Sequence, residues 1–316
     1  MKVLVTAANG FVGTNLCAHL IECGHDVHAA VRRSGSAPSG THEVVVGNID
    51  ESTAWAEALA GQDAVVHLAA RVHVMTDTAA DPLEEFRKVN TRGALALARA
   101  AAADGVGKFV FLSSIKANGE GAAAPYSVRD IARPGDPYGI SKFEAERGLA
   151  DIARSSPMHV VSIRTPLVYG PDVGGNFGKI LALVDRGVPL PLTAVANRRT
   201  MTSIWNLVDL IEYELRALGS GSDLVMAGDP TSMSTPQLIR SIASGFESRP
   251  RLFWFPLRLL ELGARLLRRQ GEASRLIGSL EVEVGSTASE FSWIAPVSTE
   301  DGIERTTRAW RASKRT

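Results

Sequence analysis

An α/β fold with a doubly wound, Rossmann-like parallel sheet and a smaller C-terminal substrate domain is predicted by three observations. Short apolar runs alternate with helical segments through the first 165 residues, the pattern of βαβ units with helices covering both faces of the sheet. The first of those runs passes directly into a glycine-bearing turn and a helix. The alternation then fails beyond Thr165, where Pro166, Gly170-Pro171, Gly174-Gly175, Pro189 and Pro191 break the chain into loops and short pieces.

The opening strand, Lys2-Val-Leu-Val-Thr6, feeds the turn Ala7-Ala8-Asn9-Gly10-Phe11-Val12-Gly13 and a helix over 13–22. Gly10 lets the backbone approach a pyrophosphate, and Gly13 lets the helix pack on the strand. The helix N-terminus offers N–H groups and a partial positive charge to the anion. Thr6, Ala7, Asn9, Phe11 and Val12 complete the expected cradle, with Ala7 standing where a G-x-x-G-x-x-G turn has its first glycine. The plainer reading of this turn is a packing junction that needs only small residues.

The second strand, 27–31, ends in Arg32-Arg33. A carboxylate near this point suits the ribose hydroxyl of NAD(H), whereas guanidinium groups suit a phosphate. NADP(H) is therefore favoured over NAD(H), against the plainer reading of a solvated basic loop. A strand at 44–46 leads into Gly47-Asn48-Ile49-Asp50, placing Asn48 and Ile49 at the adenine edge. A helix over 53–59 precedes a strand at 64–68, whose end, Leu68-Ala69-Ala70, is small enough to lie beneath the cofactor. His67 reads as a packed strand residue and His73, just past the strand's end, as a candidate to line the substrate pocket. A helix over 82–104 carries Asn90, which either positions backbone or water near the site or caps its helix.

The strand at 109–112 ends in Ser113-Ser114, and the helix over 138–155 opens with Tyr138 and Lys142 four residues apart. A phenol and an ammonium at that spacing share one helix face. The ammonium favours the phenolate, so a tyrosine can trade a proton near neutrality. A serine hydroxyl at a strand end can hydrogen-bond the same substrate oxygen. The plainer alternative for the tyrosine and lysine is an ordinary surface pair. A strand at 160–163 closes the series, and Pro166 beyond it borders the cofactor site.

Domain boundaries follow from these breaks. Residues 1–165, with 200–227 returning to them, form the dinucleotide-binding domain, and residues 166–199 and 228–316 the substrate-binding domain. The chain of 316 residues balances 34 Lys and Arg against 34 Asp and Glu, so it carries no basic footprint for nucleic acid. Cys17 and Cys23 are the only cysteines; they read as reduced thiols of a cytoplasmic protein. Neither a secretory signal nor a membrane span is expected. An apolar, arginine-bearing stretch at 256–269 is expected to pack in the second domain or a subunit contact, with peripheral contact to an anionic lipid surface as the alternative.

Several of these elements, in order, resemble the extended short-chain dehydrogenase/reductase family, in its nucleotide-sugar epimerase/reductase branch. They are the 6–13 turn, Leu68-Ala69-Ala70, Val89-Asn90-Thr91-Arg92-Gly93, Ser113-Ser114, Tyr138 with Lys142, and Arg164-Thr-Pro-Leu-Val-Tyr169-Gly-Pro171. Gly175-Asn176-Phe177, Asn197-Arg198-Arg199 and Asn206-Leu207-Val208-Asp209 are similar to a bacterial subgroup of UDP-N-acetylquinovosamine 4-reductases and UDP-sugar 4-epimerases. The resemblance implies that Ser114 contacts the sugar C4 oxygen and that Tyr138 is the general acid/base. It implies that Lys142 binds the nicotinamide ribose and lowers the tyrosine pKa, and that Asn176 and Arg199 hold the uridine diphosphate. It also implies a homodimer built on a four-helix bundle.

Of the three chemistries on this scaffold, dehydration is disfavoured because Ile115-Lys116-Ala117 follows Ser114 where an acid pair would be needed. Arg32 and Arg33 suit net reduction by NADPH. A 4-keto reductase making a UDP-6-deoxy-N-acetylhexosamine for surface polysaccharide is the expectation. A 4-epimerase with bound NAD, on a UDP-sugar or a lipid-diphosphate-linked sugar, is the alternative, and a non-catalytic dinucleotide-binding protein the minor one.

Overall fold

The computed structural model describes residues 1–72, 81–121, 124–266, 270–284 and 293–314. Nine strands are present among them: β1 (Lys2–Thr6), β2 (Asp26–Val31), β3 (His42–Val45), β4 (Ala64–His67), β5 (Lys108–Ser114), β6 (His159–Thr165), β7 (Leu167–Tyr169), β8 (Met201–Ser203) and β9 (Ser222–Met226). Seven of them make one parallel sheet in the order β3-β2-β1-β4-β5-β6-β9. The order reverses between β1 and β4, and the crevice beyond the strand C-termini at such a reversal is where ligands bind in open α/β sheets.

The helices are α1 (Phe11–Glu22), α2 (Ala56–Leu59), α3 (Pro82–Phe86), α4 (Ala94–Ala103), α5 (Pro137–Arg154), α6 (Gly175–Asp185), α7 (Ile204–Arg216), α8 (Thr235–Gly245), α9 (Leu257–Leu266), α10 (Gln270–Ile277) and α11 (Thr299–Ser313). Alternation along β1 sends Val3 and Val5 to one face of the sheet and Leu4 to the other. The first face is covered by Leu16, Cys17 and Leu20 of α1 and by Leu207, Leu210 and Ile211 of α7. The second is covered by α2, α4 and α5, whose Leu59, Leu97 and Leu149 pack on Phe109 and Phe111. Each such side chain taken out of water contributes on the order of 2 kcal/mol.

A further core lies outside the sheet, where Phe177 and Leu181 of α6 meet Ile239 and Ile242 of α8, with Tyr169 and Ile303. Two stitches join it to the sheet. Strands β7 and β8 pair in parallel just beyond the end of β6. The backbone of Tyr126, in the loop between β5 and α5, exchanges hydrogen bonds with Glu281 and Glu283 at 2.8 Å each.

The helix predicted over 82–104 is interrupted. Between α3 and α4, residues Arg87–Gly93 widen into a π-helical stretch. Gly93 sits where a Cβ would come within 3.1 Å of Ile49 and 3.3 Å of Asp50, so this wider turn lies close on the loop after β3. Cys17 and Cys23 are free thiols. No helix among the described residues is long and apolar enough to cross a membrane.

Candidate active site

The turn after β1 is tight. The N–H of Gly10 donates to the Ala7 carbonyl at 2.9 Å. Ala7 adopts φ 51°, the left-handed conformation that glycine takes without strain. A Cβ on Gly13 would lie 2.3 Å from the Ala7 oxygen, so only glycine lets α1 seat on this turn. No side chain caps the start of α1, which leaves its first N–H groups free to receive an anion.

A crevice of about 850 Å³ opens from this turn along the ends of β1 to β4. It is lined by Ala7, Asn9, Arg32, Arg33, Asn48, Ile49, Ala69 and Ala70, which the sequence assigns to the cofactor. Arg71, Glu85 and Lys88 also line it, which the sequence reading missed because they lie on elements with no phosphate-binding signature. Asp50 reaches the crevice too, bonded to Ser52. Gly10, Gly13, Phe11 and Val12 sit at its α1 edge. The residues present thus fit an extended dinucleotide: small residues at the diphosphate, a helix start facing it, and two guanidinium groups at the far end.

Thr6 is buried at the end of β1. Its hydroxyl oxygen accepts from the N–H of Leu68 at 3.1 Å and of Ala69 at 3.2 Å, and it bonds Nδ1 of His67 at 2.9 Å. It ties β1 to the end of β4 and so fixes the floor of the crevice. Burial, then the charge of Lys142, pushes His67 down to about 3, consistent with a packed neutral imidazole.

Asn90 is also fully engaged. On the π-helical stretch it accepts from the Arg71 N–H at 2.8 Å and donates to the Arg71 carbonyl and to Ser141 Oγ, both at 3.0 Å. Thr91 donates to the Ser141 carbonyl at 2.9 Å. Asn90 therefore locks the segment after β4 to the first turns of α5, where Tyr138 and Lys142 stand.

Asp136 caps α5 by accepting from the Gly139 N–H at 2.7 Å. A Cβ on Gly139 would fall 2.5 Å from the Lys116 carbonyl, so glycine allows α5 to press against the turn that follows β5. That approach brings the Tyr138 phenol close enough to Ser114 for the serine hydroxyl to lower its pKa, while Ser114 Oγ accepts from the Lys116 N–H at 3.3 Å. Ser113, one residue earlier and on the opposite face, donates to buried Glu146 instead. Lys116 forms ion pairs with Asp136 and Glu120.

Burial raises the Tyr138 phenol to about 12, opposed by the Ser114 hydrogen bond and reinforced by Asp136. Lys142 Nζ donates to the Leu112 carbonyl at 2.8 Å and lies 4.3 Å from the Phe111 ring centre. Burial brings this ammonium down to about 7, with Glu146 resisting. In the chain alone burial sets the direction of the Tyr138 shift, and the lysine expected to lower it has its own pKa lowered by burial. Glu146, one turn further along the same helix face, is held by Arg164 through Nε at 3.0 Å and Nη2 at 2.5 Å. Arg164 also donates to Asn118 Oδ1 at 2.8 Å. Pro166 is buried beside Thr165, which pairs in register with Ser114.

Arg199 lies between Met233 and Leu280, its backbone bridged to both. Its Nη1 donates to the Gly278 carbonyl at 2.8 Å. Burial, then the neighbouring Arg275 guanidinium, lowers its pKa. Two guanidinium groups that disfavour one another are suited to a shared anion. Asn176 is half-buried in the first turn of α6. His73 lies outside the described residues.

The NAD dependent epimerase/dehydratase family model matches residues 3–210 of this chain. The chain belongs to that family. It is thereby an enzyme of the extended short-chain dehydrogenase/reductase type, in the nucleotide-sugar branch. A Vibrio cholerae protein named UDP-glucose 4-epimerase is 37% identical over 313 residues, covering 98% of this chain and 95% of that one. An Escherichia coli O157:H7 protein named N-acetyl-alpha-D-glucosaminyl-diphospho-ditrans,octacis-undecaprenol 4-epimerase is 25% identical over 321 residues, covering 96% and 94%. Among solved structures, MoeE5 in complex with UDP-glucuronic acid and NAD superposes with a TM-score of 0.79 at 23% identity, covering 99% of this chain and 100% of that one. That likeness speaks for the fold.

Proposed function

We propose that this chain is a nucleotide-sugar 4-epimerase that oxidises and re-reduces C4 of a UDP-linked hexose. The placement of Tyr138 and buried Lys142 on the first turns of α5, with Ser114 at the end of β5 and a crevice fit for a dinucleotide at the strand ends, carries the proposal. The whole-length likeness to a protein named UDP-glucose 4-epimerase gives the direction. A nicotinamide bound in the crevice supplies a hydride carrier and, when oxidised, a positive charge. Ser114 Oγ holds the C4 oxygen. Tyr138 Oη takes its proton as the C4 carbonyl forms and returns it as the alcohol re-forms. Lys142 anchors the nicotinamide-side ribose and shares its charge with the phenolate. Arg199 and Arg275, with Asn176, bind the diphosphate, so that residues 166–199 and 228–316 act as the substrate-binding domain against residues 1–165 and 200–227.

A second reading, the 4-keto reductase with NADPH, is favoured by Arg32 and Arg33 at the far end of the crevice. One experiment separates the two. Purified protein is given UDP-glucose or UDP-N-acetylglucosamine without added cofactor, and separately NADPH with a UDP-4-keto-6-deoxy-N-acetylhexosamine. C4-epimer formation in the first supports the epimerase; nicotinamide oxidation in the second supports the reductase. Silence in both defeats either reading. In whichever reaction proceeds, Tyr138→Phe is expected to lower kcat by roughly 10²–10⁴-fold while cofactor binding persists.

We further propose a homodimer. Helices α4 and α5 pack closely, Leu95 lying where a Gly148 Cβ would approach to 2.7 Å. Half-buried Ile140 and Phe143 and exposed Arg147 remain at the surface of α5 for a second copy. Light scattering is expected to give twice the chain mass, and Phe143→Glu to reduce it.

A further inference from the structure

At the opposite end of the sheet from the site, three metal-binding side chains converge on the edge pair β2 and β3. Asp26 and His28 are two residues apart on β2 and share a face. His42 opens β3 and is the register partner of His28. His42 Nε2 lies 3.1 Å from Asp26 Oδ1, and His28 Nε2 lies 3.7 Å from the same oxygen. The imidazole centres are 5.0 Å apart. One ligand atom from each residue lies within 4.8 Å of the other two. Ligands bound tetrahedrally at zinc distances sit about 3.4 Å from one another, and the two nitrogen-to-oxygen separations bracket that value.

From this we infer a divalent-metal site at Asp26, His28 and His42. The donors, two imidazoles and one carboxylate, select zinc, nickel or copper over magnesium and calcium. Three protein ligands leave a fourth position for water, because Asp26 and His28 are half-buried and His42 is exposed. The metal acts on the fold. Strand β3 has four residues and, among the described residues, lies at the sheet edge beside β2. On its other face Glu43 accepts from the N–H groups of Gly35, Ser36 and Ala37 at 3.0–3.2 Å, which shapes the loop after Arg32 and Arg33. A metal bridging β2 to β3 pins the strand that runs on into Val46 to Asp50, which line the cofactor crevice.

The test uses the untagged full chain, stripped with a chelator and titrated with Zn²⁺ by calorimetry. One equivalent is expected to bind, and the melting temperature to rise with it. His42→Ala, and separately Asp26→Asn, are expected to bind at least ten-fold more weakly and to lose that rise. Co²⁺ is expected to give the visible bands of a tetrahedral site in the wild type and not in His42→Ala. Turnover without metal is expected to be equal in wild type and His42→Ala. Absence of Zn²⁺ uptake, or equal uptake by both variants and the wild type, overturns the site and leaves a surface ion-pair cluster. This readout is independent of which sugar the enzyme takes.

Discussion

Lys142 stands in a place where a positive charge is costly. Among the described residues, the Leu112 carbonyl, the Phe111 ring and the field of Glu146 support it. In the folded chain it titrates at about 7, against 10.5 for an ordinary lysine. Between those values the unfolded chain holds the extra proton, so stability rises with pH across that window. Denaturation of the cofactor-free protein at pH near 7 and near 9.5 is expected to show a gain on the order of 2 kcal/mol, absent from Lys142→Met. An equal gain in the variant would assign the trend to other groups. The same burial keeps Tyr138 protonated, so its titration in ultraviolet absorbance is expected to fall toward neutrality only when oxidised cofactor is added. Tyr138, Lys142 and Ser114 were legible in the sequence because helical spacing and strand-end position are local properties. Glu146 shares that spacing, yet its partners Ser113 and Arg164 come from two different strands. Arg275 reaches Arg199 only through the fold of the second part.

Two elements owe their seating to single small residues. The turn from β1 to α1 places Ala7 at φ 51°. A non-glycine residue there is strained by roughly 1–2 kcal/mol, partly offset by the extra freedom that glycine brings to the unfolded chain. Ala7→Gly is therefore expected to stabilise the protein by up to about 1 kcal/mol, read as a higher denaturation midpoint at unchanged slope. The start of α5 depends on Gly139 instead. A methyl there meets the Lys116 carbonyl at 2.5 Å, backbone against backbone. Gly139→Ala is expected to draw Tyr138 away from Ser114 and to lower kcat at least ten-fold, with diphosphate-dependent binding of UDP intact. Unchanged kcat would show that the helix start is not what aligns the pair. The alternation of strand and helix was readable because burial on both sheet faces writes continuous apolar runs. Four elements escaped it for physical reasons. The π-helical stretch 87–93 has no distinctive periodicity, being set by Asn90 reaching Arg71 and Ser141. Strands β7 and β8 are three residues each and pair across a long excursion of chain. Strand β9 follows two glycines and begins exposed, so its edge position hid its pattern.

Across the whole molecule, charge and apolar surface are unevenly spread. The chain is neutral overall. Yet exposed Arg249, Arg251, Arg258 and Arg265 cluster around α9, against Glu247 and Glu261. On α9, Leu259, Leu262 and Leu266 follow one helix face at spacings of three and four, and all three are exposed. Phe253 and Trp254 are exposed just before it. The packing expected for this stretch is thus only partial, with Leu257 and Leu260 turned to the core. Leucines between arginines, led by a tryptophan, have the composition of a helix that lies in the headgroup layer of an anionic bilayer. Full-length protein is expected to co-sediment with phosphatidylglycerol vesicles at low salt, to be released as salt rises, and to bind phosphatidylcholine vesicles less. The double variant Leu262→Glu, Leu266→Glu is expected to stay in solution while keeping its turnover of free UDP-sugar. Wild-type protein that remains in the supernatant with both lipids removes membrane contact. If its mass then rises with concentration and the double variant's does not, the face belongs to a second copy of the chain.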